Sequence, residues 1–364
     1  MTQKREKNIY QNLSALGWTS FFQDQLENRH SDRVATARVV GVRKNSFAIS
    51  DGQTEWLATA AGKLQQANRR YPVVGDWVLV TDTVIHEVLE RKNRLTRGAA
   101  GGHGKLEAVP TRQQVIAANL DTVFIVCGLD RDYNLRRIER YLTLVYNCDL
   151  TPAIILTKAD LQPDPEAFVQ EVETIAFGVP VHLVSARDAT GLVRLEETIA
   201  PGRTITMIGS SGAGKSTLLN RLYGKSVQAT NATSEKVGKG THTTTSRDLI
   251  VMPQGGMIID NPGIREISFW DADKGVESAF PEIERLAAGC RFSDCNHAHE
   301  PGCRVLQAVA NGEIAQERLD SYHKMNRELT YLAERQHKSA DRMEKERWKD
   351  VALKIKSMKK NMKK

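Results

Sequence analysis

The chain has 364 residues, 40% hydrophobic and 26% charged, a balance that excludes disordered and fibrous classes and suits two or three domains. No run approaches the roughly 18 apolar residues a membrane-spanning helix needs, and the opening MTQKREKNIYQNL lacks the apolar core of a signal peptide. A cytoplasmic protein with no membrane partner is expected. The net charge of +7 is unevenly placed: residues 335–364 carry 12 Lys or Arg against 4 Asp or Glu, so the rest sits near −1. A basic tail of that density points to a polyanionic partner, with nucleic acid the first candidate.

Along the chain, residues 9–26 place Leu13, Leu16, Phe21, Phe22 and Leu26 at helical spacing, which predicts one or two short helices. Residues 33–96 then hold five short runs rich in β-branched and aromatic residues: RVATARVVGV, SFAIS, TEWLATA, DWVLVTD and TVIHEVL. Turn residues such as Asp51 and Gly52 separate them, the pattern of a small antiparallel barrel of the OB type. Residues 97–105, RGAAGGHGK, are too glycine-rich for regular structure and predict a mobile linker. The expected first domain is 1–97 and the linker 98–110.

From 111 to 270 apolar strands alternate with helical patterns, which predicts a mostly parallel sheet covered on both faces. Strands are expected at 122–127, 153–156, 181–184, 204–208, 248–252 and 257–259, with helices at 135–147, 165–177 and 215–223. The fold class is therefore multidomain α/β. A helical domain is expected at 271–334 and a basic tail at 335–364.

One strand ends in Gly209, Ser210, Ser211, Gly212, Ala213, Gly214, Lys215, Ser216 and Thr217, which fit G-x-x-x-x-G-K-[ST] and open a helix. Successive backbone N–H groups of such a loop curl around phosphates, and the helix start adds positive potential. Lys215 would reach the β- and γ-phosphates, and the Ser216 hydroxyl would bind Mg²⁺.

Two other strand ends separate GTP from ATP. Thr157, Lys158, Ala159 and Asp160 resemble the guanine-specificity motif N/T-K-x-D. The Asp160 carboxylate can accept from both N1–H and N2–H of guanine, a pair that adenine lacks. Ser185 and Ala186 resemble the S-A-x loop that contacts the base O6. Asp260, Asn261, Pro262 and Gly263 resemble D-x-x-G, with Asp260 on Mg²⁺ through water and the Gly263 amide sensing the γ-phosphate. Between P-loop and D-x-x-G lies a threonine-rich stretch (Thr241, Thr243, Thr244, Thr245) in the switch I position. T-K-x-D and S-A-x precede the P-loop, the reverse of the usual order, so the domain is circularly permuted. The site still assembles, because all its loops leave the carboxyl edge of one sheet.

Cys290, Cys295 and Cys303 fall within 14 residues, with His297 and His299 between them. In a cytosolic chain three thiols and an imidazole at such spacing form a Cys₃His set for one tetrahedral, structural Zn²⁺. Spacing alone leaves His297 and His299 as rivals.

As a set, these features resemble the small ribosomal subunit biogenesis GTPases of the RsgA (YjeQ) family, over most of the chain. The resemblance implies a monomeric GTPase that binds the 30S ribosomal subunit and rRNA late in assembly. It further implies stimulation by that particle and release as GTP becomes GDP. It places the zinc ligands on Cys290, Cys295, His297 and Cys303. Thr157 stands where asparagine is usual, which predicts a weaker hydrogen bond from the base loop to the P-loop. Ile264 stands where many GTPases carry a water-orienting glutamine, so another group must act there; His242 is the candidate.

Overall fold

Residues 12–26, 34–66, 71–98, 113–224, 247–260 and 273–337 are described by the structure, a computed structural model. A short helix α1 (Ser20–Gln23) precedes five strands: β1 (Ala35–Val42), β2 (Phe47–Ser50), β3 (Glu55–Ala60), β4 (Trp77–Thr81) and β5 (Val84–Val88), with helix α2 (Gly62–Gln66) between β3 and β4. Along these strands apolar residues recur at every second position. Ala37, Val39, Phe47, Ile49, Val78, Val80 and Ile85 therefore point to one side and form a buried cluster. β1 pairs antiparallel with β2 and β4, β2 with β3, and β4 with β5, while β3 and β5 are parallel. The ring is closed, the expected OB-type barrel, and closure leaves few free strand edges.

β6 (Arg94–Gly98) and β7 (Gln113–Ala118) pair as a separate two-stranded ribbon. Arg97 and Gly98 thus belong to a strand, correcting the expectation of irregular chain from 97; ladder pairing with β7 outweighs glycine's weak strand preference. The remainder of the expected linker lies outside the described residues.

Next come β8 (Thr122–Gly128), α3 (Leu135–Asn147), β9 (Thr151–Thr157), α4 (Pro165–Glu173), β10 (Val181–Val184), α5 (Leu192–Thr198), β11 (Thr204–Ile208), α6 (Lys215–Tyr223), β12 (Arg247–Val251) and β13 (Met257–Asp260). The order across the sheet is β10-β9-β8-β11-β13-β12, parallel except for β12. Helices cover both faces, so β8 and β9 read as unbroken apolar runs and are almost wholly buried. Helix α4 ends at Glu173, four residues before the expected limit, although Ile175 and Ala176 beyond it are buried in turns.

β12 also pairs with β1 of the barrel, Gly41 opposite Asp248 and Val42 opposite Arg247, so one eleven-stranded sheet runs through both. A Cβ on Gly41 would come within 2.7 Å of the Asp248 carboxylate, so the bare glycine lets that side chain lie against β1. The barrel and the α/β sheet lie in one compact unit, formed by the described residues of 1–95 and 115–266.

The second unit, the described residues of 96–114 and 267–364, contains α7 (Asp273–Ala279), α8 (Pro281–Ala287), α9 (Arg304–Ala310) and α10 (Gln316–His337). Phe280, Ile283, Val305, Leu319 and Met325 are buried in it. The buried Arg318 lies 4.2 Å over the Phe280 ring and pairs with Glu282 at 2.6 Å. No described helix is long and apolar enough to cross a membrane.

Candidate nucleotide and metal sites

The P-loop joins β11 to α6. Gly209 has φ of 147°, and a Cβ there would sit 2.2 Å from the Val126 carbonyl, so the loop can pass this close to β8 only as glycine. Lys215 opens α6 and folds back, donating from Nζ to the carbonyls of Gly209 at 2.7 Å and Ser210 at 2.5 Å. Ser216 is half-buried and Thr217 exposed at the first turn of the helix.

Beside this loop runs the T-K-x-D segment at the end of β9. The buried Thr157 donates its hydroxyl to the Ala213 carbonyl at 2.6 Å. The bond expected to be weakened by the missing asparagine is thus short, because the threonine hydroxyl already sits against the loop. Lys158 has a left-handed backbone (φ 61°), and its Nζ donates to the Gly212 carbonyl and the Asp130 carboxylate, each at 2.7 Å. Asp160 is exposed, and its Oδ1 accepts the hydroxyl of the wholly buried Ser185 at 2.8 Å. The same Ser185 Oγ accepts the N–H of Arg187 at 3.2 Å, so one side chain ties the T-K-x-D loop to the S-A-x loop.

A pocket of about 200 Å³ opens between these segments, lined among others by Lys158, Asp160, Leu161, Ala186, Arg187 and Thr217. Ala159 is buried beneath it. Asp260 ends β13, beside the P-loop strand β11. Gly263, Ile264, His242 and the switch I threonines lie outside the described residues.

One segment escaped the sequence reading: Gly128 to Asn134, between β8 and α3. Asp130 holds Lys158, and Asp132 accepts from the Ser210 hydroxyl, from Arg137 and, at 3.1 Å, from the Gly128 N–H. The available signal was its position, at the carboxyl end of a parallel strand with two carboxylates two residues apart.

In the second unit Cys290, Cys295, His297 and Cys303 bring one ligand atom each within 4.8 Å of the others, a group that could hold one metal ion. Cys290 Sγ and Cys303 Sγ are 3.8 Å apart, and His297 Nδ1 lies 3.7 Å from the first and 3.4 Å from the second. His297 is buried with a left-handed backbone (φ 56°), whereas His299 is exposed and outside the group. Burial, and then the neighbouring His323, lower the His297 pKa, which favours the neutral imidazole a metal requires. The Glu300 carboxylate accepts the backbone N–H groups of Asn296, Ala298 and His299 and gathers the loop. Cys303 Sγ caps α9 by accepting from the Leu306 N–H.

A P-loop, a T-K-x-D loop and a D-x-x-G strand end, gathered at one sheet edge in permuted chain order, define a circularly permuted P-loop GTPase. The family model described as RsgA GTPase matches residues 88–270. The small ribosomal subunit biogenesis GTPase RsgA of Syntrophotalea carbinolica is 43% identical, over 87% of this chain and 90% of its own. The chain belongs to the RsgA GTPase family, and it is a GTP hydrolase.

The RsgA of Methanosarcina acetivorans is 44% identical over 83% of this chain and 82% of its own. Among solved structures, YjeQ from Thermotoga maritima aligns with a TM-score of 0.60 at 31% identity, covering 82% of this chain and 99% of that one. YloQ, titled a circularly permuted GTPase, aligns with a TM-score of 0.57 at 24% identity, covering 85% and 98%, and supports the fold. A model described as ABC transporter matches residues 192–354, less than half of the chain, a range that includes the P-loop string common to nucleoside triphosphatases.

Proposed function

We propose that this GTPase acts in late maturation of the 30S ribosomal subunit, binding the particle and its rRNA and leaving as GTP is hydrolysed to GDP. The observation that carries the reading is similarity to proteins named small ribosomal subunit biogenesis GTPase over 83–87% of the chain.

In this reading the P-loop amides cradle the phosphates, Lys215 neutralises the β- and γ-phosphates, and Ser216 and Asp260 would hold Mg²⁺. The ion supplies charge neutralisation at the leaving oxygens. Asp160, held by Ser185, accepts from the guanine edge, while the Lys158 stem lies along the ring. Gly263 senses the γ-phosphate and His242 orients water. Working boundaries are 1–97 for the barrel domain, 98–110 for the linker, 111–270 for the G domain, 271–334 for the metal-binding helical domain and 335–364 for the basic tail. The protein is cytoplasmic and works as a monomer.

Zinc suits the metal group. Tetrahedral ligands about 2.3 Å from zinc are about 3.8 Å from one another, which matches the Cys290–Cys303 separation of 3.8 Å. Four protein ligands leave no open position, so the ion is structural.

The test is GTP turnover by the full chain alone and with purified 30S, 50S and 70S particles. Stimulation confined to particles that present a small-subunit surface is expected. Equal rates in all four conditions would remove the ribosomal reading.

A further inference from the structure

The segment between β8 and α3 is bonded to the nucleotide loops through Asp130, Asp132 and Arg137. Helix α3 is already capped, because Asn134 accepts the Arg137 N–H at 3.0 Å. Asp132, two residues earlier, is therefore free of that task, and its bonds go elsewhere. One carboxylate oxygen accepts the Ser210 hydroxyl and the Arg137 guanidinium; the other accepts the Gly128 N–H at 3.1 Å. Arg137 Nη1 also donates to Ser210 Oγ at 3.1 Å, closing a three-residue cluster of Asp132, Arg137 and Ser210. The Asp132 side chain is only 11% exposed, although its Arg137 partner is 37% exposed and open to solvent screening.

Ser210 connects this cluster to the lysine. Its carbonyl, with that of Gly209, accepts Lys215 Nζ. Strand β11 ends at Ile208, so Ser210 lies beyond the ladder, held by its side chain and by a long 3.4 Å bond from the Ala213 N–H to its carbonyl. A lysine ammonium on a flexible stem is directed only by what holds it.

We propose that Asp132 is a positioning residue for the hydrolysis: with Arg137 it fixes Ser210, and through the Ser210 carbonyl it aims Lys215 at the β- and γ-phosphates. This rests on the reading of residues 209–217 as the phosphate loop. Because the γ-phosphate is absent from GDP, misdirection of Lys215 weakens GTP more than GDP. Loss of general stability would weaken both alike.

The experiment measures GTP and GDP affinity, single-turnover hydrolysis and melting temperature for full-length variants. Asp132→Ala should weaken GTP about tenfold and GDP less than about threefold, with hydrolysis about tenfold slower. Asp132→Asn, whose single amide oxygen can still accept the Ser210 hydroxyl but whose Nδ2 replaces the acceptor facing the Gly128 N–H, should recover only part of the loss. Ser210→Ala should reproduce the Asp132→Ala selectivity, and the double variant should be no worse than either, as for residues acting in series. Equal losses for the two nucleotides, or additive losses in the double variant, would overturn the proposal. If Asp132→Ala does not fold, Ser210→Ala decides alone by the same GTP-to-GDP ratio. Lys215→Ala separates the two levels of the argument. If it binds and hydrolyses GTP normally, the phosphate-loop reading itself fails. If it loses both while Ser210→Ala keeps the wild-type ratio, only the role of Asp132 fails.

Discussion

Arg38, on barrel strand β1, donates from Nη1 to the Thr204 hydroxyl at 2.9 Å, where β11 sets out toward the P-loop. The guanidinium is wholly buried and also donates to the carbonyls of Leu16, Gly75 at 3.2 Å and Asn119 at 3.2 Å. Its nearest acids compensate only in part: Asp76 is paired with Arg91 at 2.7 Å, and burial lowers the Arg38 pKa to about 10. The group is still charged at neutral pH, and carbonyl dipoles carry most of its solvation. Arg38→Met fills similar volume but strands those carbonyls, so it should cost about 3 kcal/mol or more. Urea unfolding measures this; a change under about 0.5 kcal/mol would show that the bonds contribute nothing net.

Base selectivity should reside in Asp160 and the hydroxyl that holds it. Asp160→Asn should shift preference from guanine toward xanthine nucleotides, whose ring presents an acceptor in place of the N2 donor. Ser185→Ala, which frees the carboxylate from its 2.8 Å bond, should weaken GTP about tenfold without changing that preference. Competition between GTP, ATP and XTP reads both effects, and comparable ATP and GTP affinity in the wild type would remove the guanine assignment.

Metal analysis should find one zinc per chain. Cys295→Ser should lose it and His299→Ala should retain it, because His299 is exposed and outside the ligand group. Since a structural ion binds the folded state alone, a chelator should lower the melting temperature of the wild type and leave Cys295→Ser unmoved. Unchanged zinc in Cys295→Ser would contradict the ligand set.

With isoleucine at position 264, the free protein should turn over slowly, at about 10⁻⁴ to 10⁻² per second. His242→Ala should keep GTP affinity and lose most of the rate gained with 30S particles. Full stimulation of that variant would place the water-orienting group elsewhere.

Binding to 30S particles should weaken steeply with salt, as phosphate contacts release counterions. Removing residues 335–364 should flatten that dependence and spare GTP affinity. An unaltered slope would return the basic tail to a solubilising role.

The class of the protein is legible in short local strings. The P-loop, T-K-x-D and D-x-P-G are contiguous strings whose chemistry is local, and their order along the chain is the permutation. The helices 135–147 and 215–223 and the strands 181–184 and 204–208 end where apolar spacing and glycines place them. Three cysteines and a histidine within 14 residues are likewise a local pattern. How distant segments meet is visible in the folded chain alone. Nothing in ATARVVGV says that its arginine will bond Thr204, 166 residues away, or that Gly41 will lie against Asp248. Asp132 reads as one acid in a polar loop until the fold brings Ser210 to it across 78 residues. Such contacts depend on strand order and on which surfaces a closed barrel leaves exposed, and composition and spacing along one chain carry no record of either.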